Sequence, residues 1–102
     1  MPQTTHRPAA NNAAVNTFAA VPGVVHTLDN INYSYDRVPA ATVGNVKVES
    51  PSGTIIFQLN IVAGGPGDVK FPKGLAGAVG QALIVTLAAD ATAIGSLNST
   101  TR

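Results

Sequence analysis

Two stretches of this chain alternate with a period of two, and that excludes a helical fold for most of its length. Between 54 and 62, Ile55, Phe57, Leu59 and Ile61 alternate with Ile56, Gln58, Asn60 and Val62. Between 82 and 88, Leu83, Val85 and Leu87 alternate with Ile84, Thr86 and Ala88. Successive side chains of a strand point to opposite faces, whereas an amphipathic helix repeats every three to four residues. Val46 and Val48 carry the same alternation just before Ser50-Pro51-Ser52-Gly53. That four-residue loop, with proline early and glycine late, suits a hairpin built on a type I turn.

The remaining strands follow from this frame. Pro22-Gly23 is a type II turn signal, and a strand is expected over 24–35. Its second half sets Ile31, Tyr33 and Tyr35 against Asn30, Asn32, Ser34 and Asp36. Leu28 falls on the wrong side of that alternation, and a bulge near Asp29-Asn30 would restore it to the apolar face. Residues 36–44 read as a loop. The strand over 54–62 is apolar on both faces near its start, which predicts a central strand. Residues 63–68 read as a turn, 69–71 as a short strand and 72–80 as a loop. Strands over 82–88 and 93–98 complete the chain. Six to eight short strands in a chain of this size indicate a sandwich, jelly roll or small barrel; the fold expected is all-β, a small antiparallel β-sandwich of jelly-roll type. Jelly roll and immunoglobulin-like sandwich share this pattern.

Residues 1–20 differ in character. They hold Pro2, Pro8, Asn11 and Asn12 and few large side chains, so an extended N-terminal arm is expected there. Within it, 13–18 could form a strand with Phe18 as its anchor. Residues 21–102 form the sandwich domain.

Composition narrows the function classes. The chain has 102 residues and no cysteine, so neither a disulfide framework nor a thiolate zinc site is possible. The aromatics are Phe18, Tyr33, Tyr35, Phe57 and Phe71, and the apolar fraction rests on Ala and Val. Burying a Val or Leu stabilises by about 1.5–3 kcal/mol, while ordering a residue costs about 1.5 kcal/mol. A small Val/Ala core thus ends near balance, and assembly with other chains is expected. Only 11% of residues are charged and the net charge is +1. Arg7, Arg37, Lys47, Lys70, Lys73 and Arg102 are scattered, which is no footprint for nucleic acid. Residues 1–8 lack the apolar core of a signal peptide, and no run approaches the length of a membrane span. Synthesis in a cytoplasm and no membrane partner are expected.

The candidate chemical motifs fail one by one. Gly74-x-x-Gly77-x-x-Gly80 lacks the strand before and the helix after that a dinucleotide loop needs. Gly64-Gly65-Pro66-Gly67 lacks the Lys-Ser/Thr of a phosphate loop. His6 and His26 are too few for a metal centre. Asp29, Asn30, Asn32 and Asp36 do not match the calcium-loop spacing. No Gly-x-Ser-x-Gly elbow occurs. No enzyme activity, no cofactor and no metal are expected. Tyr33 and Tyr35 on one face could stack on a sugar, although such a pair is more often core.

The order Ser52-Gly53-Thr54-Ile55-Ile56-Phe57-Gln58-Leu59, a Gly/Pro turn, Gly80-Gln81-Ala82-Leu83-Ile84-Val85-Thr86-Leu87 and then Gly95-Ser96-Leu97-Asn98 resembles small auxiliary virion proteins of tailed bacteriophages. The resemblance covers about residues 46–98. It implies a jelly-roll or sandwich protein that decorates or cements a capsid, binds the major capsid protein and itself as a dimer or trimer, and resides on the virion after synthesis in the host cytoplasm. On that reading the arm makes the shell contact, with Arg7, Asn11, Asn12 and Phe18 foremost, and deleting 1–18 should leave a folded body that no longer binds shells. The alternative is a receptor- or carbohydrate-binding knob of a tail or fibre that uses Tyr33 and Tyr35.

Overall fold

The computed structural model describes residues 3–6, 13–40, 44–90, 93 and 95–101. Eight strands form among them: β1 (Gln3–His6), β2 (Ala14–Phe18), β3 (Thr27–Tyr35), β4 (Val46–Glu49), β5 (Ile55–Leu59), β6 (Gly65–Ala76), β7 (Leu83–Leu87) and β8 (Gly95–Thr101). They make two four-stranded sheets, β1-β8-β3-β6 and β2-β7-β4-β5. Every ladder is antiparallel. The pairing is nested: β1 lies on β8, β2 on β7, β3 on β6 and β4 on β5. The chain is thus the all-β antiparallel sandwich that the period of two demands.

The alternation sorts side chains as expected. Ala14 and Phe18 of β2, Val46 and Val48 of β4, and Leu83, Val85 and Leu87 of β7 face Leu28, Ile31, Tyr35 and Leu97 of the opposite sheet, all buried in one cluster. The bulge in β3 is present. Its register on both neighbours shifts between Leu28 and Asn30, which turns Leu28 inward to full burial. A polar tie crosses the core: the Asn16 side-chain amide in β2 donates to Ser99 Oγ in β8 at 3.0 Å.

Four elements depart from the sequence reading. Strand β5, expected as central, is the edge of its sheet. Its apolar residues on both sides reflect a register shift opposite Val48/Glu49, which brings Ile56 as well as Phe57 against the core. Strand β6 runs for 12 residues through Pro66, Gly67, Pro72 and Gly74, where turns and a loop were expected. An edge strand tolerates proline, whose missing N–H can face away from its one neighbour. Gly67 is needed there because a Cβ would collide with the Tyr33 ring laid over it from β3. Finally, residues 3–6 and 14–18, expected within an arm, form edge strands of the two sheets.

Candidate functional site

The nested pairing sends alternate connections to opposite ends of the sandwich. At one end converge the β2–β3 loop (19–26), the β4–β5 loop (50–54) and the β6–β7 loop (77–82). They are braced against one another. Gly77 N–H donates to His26 O at 2.8 Å, and Gly80 N–H donates to Val24 O at 2.8 Å. The Ser50 hydroxyl, buried at the centre, donates to Ala82 O at 2.8 Å and accepts the Ala78 N–H at 2.9 Å. The His26 ring donates from Nε2 to Ala19 O at 2.7 Å and lies near Phe18. Glu49, beside this end, accepts the Gly53 N–H. Within 19–26, 50–54 and 77–82 there is no Asp, Glu, Lys or Arg. Val21, Val24, Val25 and Val79 stand exposed there, between 36% and 65% of their free areas.

The opposite end is polar. Asp90 is buried and its Oδ1 accepts the N–H of Ala40 at 3.0 Å and of Ala93 at 3.1 Å. Asp36 and Arg37 pair at 3.5 Å on the surface, a contact that contributes little in water. Asn60 Oδ1 accepts the Gly44 N–H at 2.7 Å, and Asn45 Oδ1 accepts the Ile61 N–H at 2.9 Å. These side chains close the loops that the strands leave open.

The outer face of the β1-β8-β3-β6 sheet is a third surface. Register aligns Asp68, Asn32 and Asn98 across three strands, with Pro66, Ser34 and Ser96 in the next row. They line a shallow groove of about 460 Å³. Lys70 and Asp68 lie 3.8 Å apart along its rim.

The residues singled out by sequence fall in different places. Phe18 is 8% exposed and belongs to the core, while Arg7, Asn11 and Asn12 lie outside the described residues. Tyr35 is 1% exposed, and its hydroxyl donates to Ala88 O at 2.7 Å. Burial pushes the Tyr35 phenol above its usual value; an Asn45 hydrogen bond opposes this and the Asp90 charge adds to it. Tyr33 is half-buried against the core. The two tyrosines share a face; Tyr35 is sealed inside it, while Tyr33 also reaches the lining of the groove. Among the described residues no three His, Asp or Glu side chains cluster as a metal would need, and no helix is long and apolar enough to cross a membrane. The valine end was missed by sequence reasoning. Its signal was present as Val21, Val24 and Val25 around Pro22-Gly23, but Val79 joins them only through the fold.

No protein family, no curated protein and no solved structure matches the chain.

Proposed function

We propose that this protein is a non-enzymatic structural module of a virion, a jelly-roll capsid decoration protein of a tailed bacteriophage that binds the shell and its own copies. The nested strand order carries this reading. Pairing first with last and inward to β4 with β5 supports a jelly roll, an architecture used by viral capsid proteins and lectins. An immunoglobulin-type sandwich sets strands A, B, E and D on one sheet and C, F and G on the other, a different arrangement. The sparse charge supports the same reading, because a chain with only 11% charged residues suits a molecule largely covered by neighbours. Weak contacts repeated over a lattice gain about 10² to 10⁴ in avidity without new chemistry.

The carbohydrate-knob alternative has less support, since Tyr35 is engaged in the core rather than offered to a ligand. The arm version of the shell contact also needs restating. β2 contributes Ala14 and Phe18 to the core, so a deletion of 1–18 would remove packing as well as any contact. The shell test is therefore made on the intact chain. Purified virions should contain the protein in several hundred copies, and purified protein added to shells lacking it should co-sediment to saturation. Virions free of the protein would end the proposal.

A further inference from the structure

The geometry points to the valine end as a self-docking face: two copies of this chain meet end to end, about a two-fold axis, through Val21, Val24, Val25 and Val79. This deepens the oligomer part of the proposed function and rests on it there, but its test needs no capsid.

Four observations carry the inference. The first is concentration of apolar surface. Of the eight large apolar residues that are exposed among the described residues, these four lie in two loops tied together by the Gly80–Val24 and Gly77–His26 hydrogen bonds. Scattered surface valines need no explanation, but a contiguous cluster does. The second is rigidity. The loops are already fixed by backbone bonds and by the doubly bonded Ser50 hydroxyl, so docking would order little that is not ordered already.

The third observation chooses the occupant. The cores of protein interfaces are depleted in charge, and the three loops at this end carry no formal charge at all. An isologous contact requires a patch to be complementary to itself. A patch with no charge meets its own copy without repulsion, and a net charge of +1 adds little at longer range. A partner selected by charge would need a sign that the valine loops 19–26 and 77–82 do not have; Glu49, beside the third loop, is taken up by the Gly53 N–H.

The fourth is size. Cα extents are 41 × 24 × 20 Å. The long axis matches β6, whose 12 residues span about 40 Å at the usual rise per residue. The end is therefore some 24 × 20 Å, about 480 Å² in projection. A stable dimer buries about 800 Å² per partner. The end contact is accordingly a weak and reversible one.

Sedimentation velocity from 10 μM to 2 mM, at about 0.15 M salt, tests this. The weight-average mass should rise with concentration from 10.3 kDa toward twice that value. Val24→Lys and Val79→Lys should each weaken association at least tenfold, while Val62→Lys, exposed at the opposite end, should leave it unchanged. Each variant should keep the wild-type circular dichroism spectrum. Val24→Lys mixed with Val24→Glu should form a heterodimer tighter than either homodimer, which a merely misfolded variant cannot do. A chain that stays monomeric at 2 mM overturns the inference, and so does association weakened equally by Val62→Lys. Loss of co-sedimentation with shells while self-association persists would strike the capsid reading instead and leave this one standing.

Discussion

Replacing Tyr35 by Phe removes one oxygen from the centre of the polar end and leaves the ring where it is. The Tyr35 side chain is buried, and its hydroxyl donates a 2.7 Å hydrogen bond to Ala88 O just beyond β7. A neutral hydrogen bond contributes about 0.5–1.5 kcal/mol net, and a buried acceptor left unsatisfied costs about 1–3 kcal/mol. Ala88 is only partly buried, so water can reach its carbonyl in part. The expected loss is about 1–2 kcal/mol at neutral pH. For a domain near this size each kcal/mol lowers Tm by about 4–8 °C.

The pH dependence of that loss is diagnostic. Burial, with a smaller contribution from the Asp90 charge, raises the phenol above its reference value of 10.0 in the folded state, against the Asn45 bond that favours ionisation. Between the unfolded and the raised folded value, the folded protein holds a proton that the unfolded chain has lost. Stability from Tyr35 is therefore complete below pH 10 and is lost as pH rises toward the folded value. The slope is at most about 1.4 kcal/mol per pH unit. The phenyl ring of the Tyr35→Phe variant cannot titrate, and the lysines are common to both proteins, so they cancel in the difference. Urea unfolding of wild type and Tyr35→Phe at pH 7, 9, 10.5 and 11.5 should show the wild-type advantage constant to pH 9 and shrinking above 10. An advantage equal at pH 7 and 11.5 would refute the reasoning.

Two further substitutions probe the core and the valine end. Leu97→Ala, at a fully buried position between the sheets, should cost about 3–5 kcal/mol in urea unfolding; a loss below about 1 kcal/mol would mean that the sheets are not packed as described. Ser50→Ala strips two hydrogen bonds at once and should cost about 1–3 kcal/mol, with faster amide exchange at Ala78; unchanged exchange there would show that Ser50 does not brace the loops.

What the sequence disclosed and what it hid divide along the range of the interactions involved. Strands β4 and β7 were legible because alternation is local. So was the bulge in β3, because only a displaced register could bring Leu28 beside Ile31 on the inside. Strand β8 was expected over 93–98 without an apolar alternation of its own and runs over Gly95–Thr101. Strand β6 was hidden because Gly65, Pro66, Gly67, Pro72 and Gly74 are turn residues by local chemistry. Its pairing to β3 overrides them, and being an edge it has one flank on which a missing N–H does no harm. Strand β1, Gln-Thr-Thr-His, has no apolar alternation of its own and is defined by its ladder with β8. The central placement inferred for β5 failed for a related reason. Apolar residues on both sides usually mean cover on both sides, but a register shift can bring neighbours to the same side.

The valine end shows how topology turns dispersed residues into a surface. In a nested antiparallel pairing, the connections β2–β3, β4–β5 and β6–β7 must emerge at one end and β3–β4, β5–β6 and β7–β8 at the other. Read along the chain, the charges of the loops look random. Sorted by that alternation they separate: Asp36, Arg37 and Asp90 belong to the second set, and the first set has no charge. Buried Asp90 is engaged by backbone N–H groups, so even the polar end uses charge to close loops rather than to attract a partner. A domain of this size has little stability in reserve, and buried charges without partners would erode it. Leaving the loops of one end without charge adds no such burden and leaves an apolar face exposed. The order of pairing thus decides which loops meet, and the composition of those loops decides that what they form is apolar.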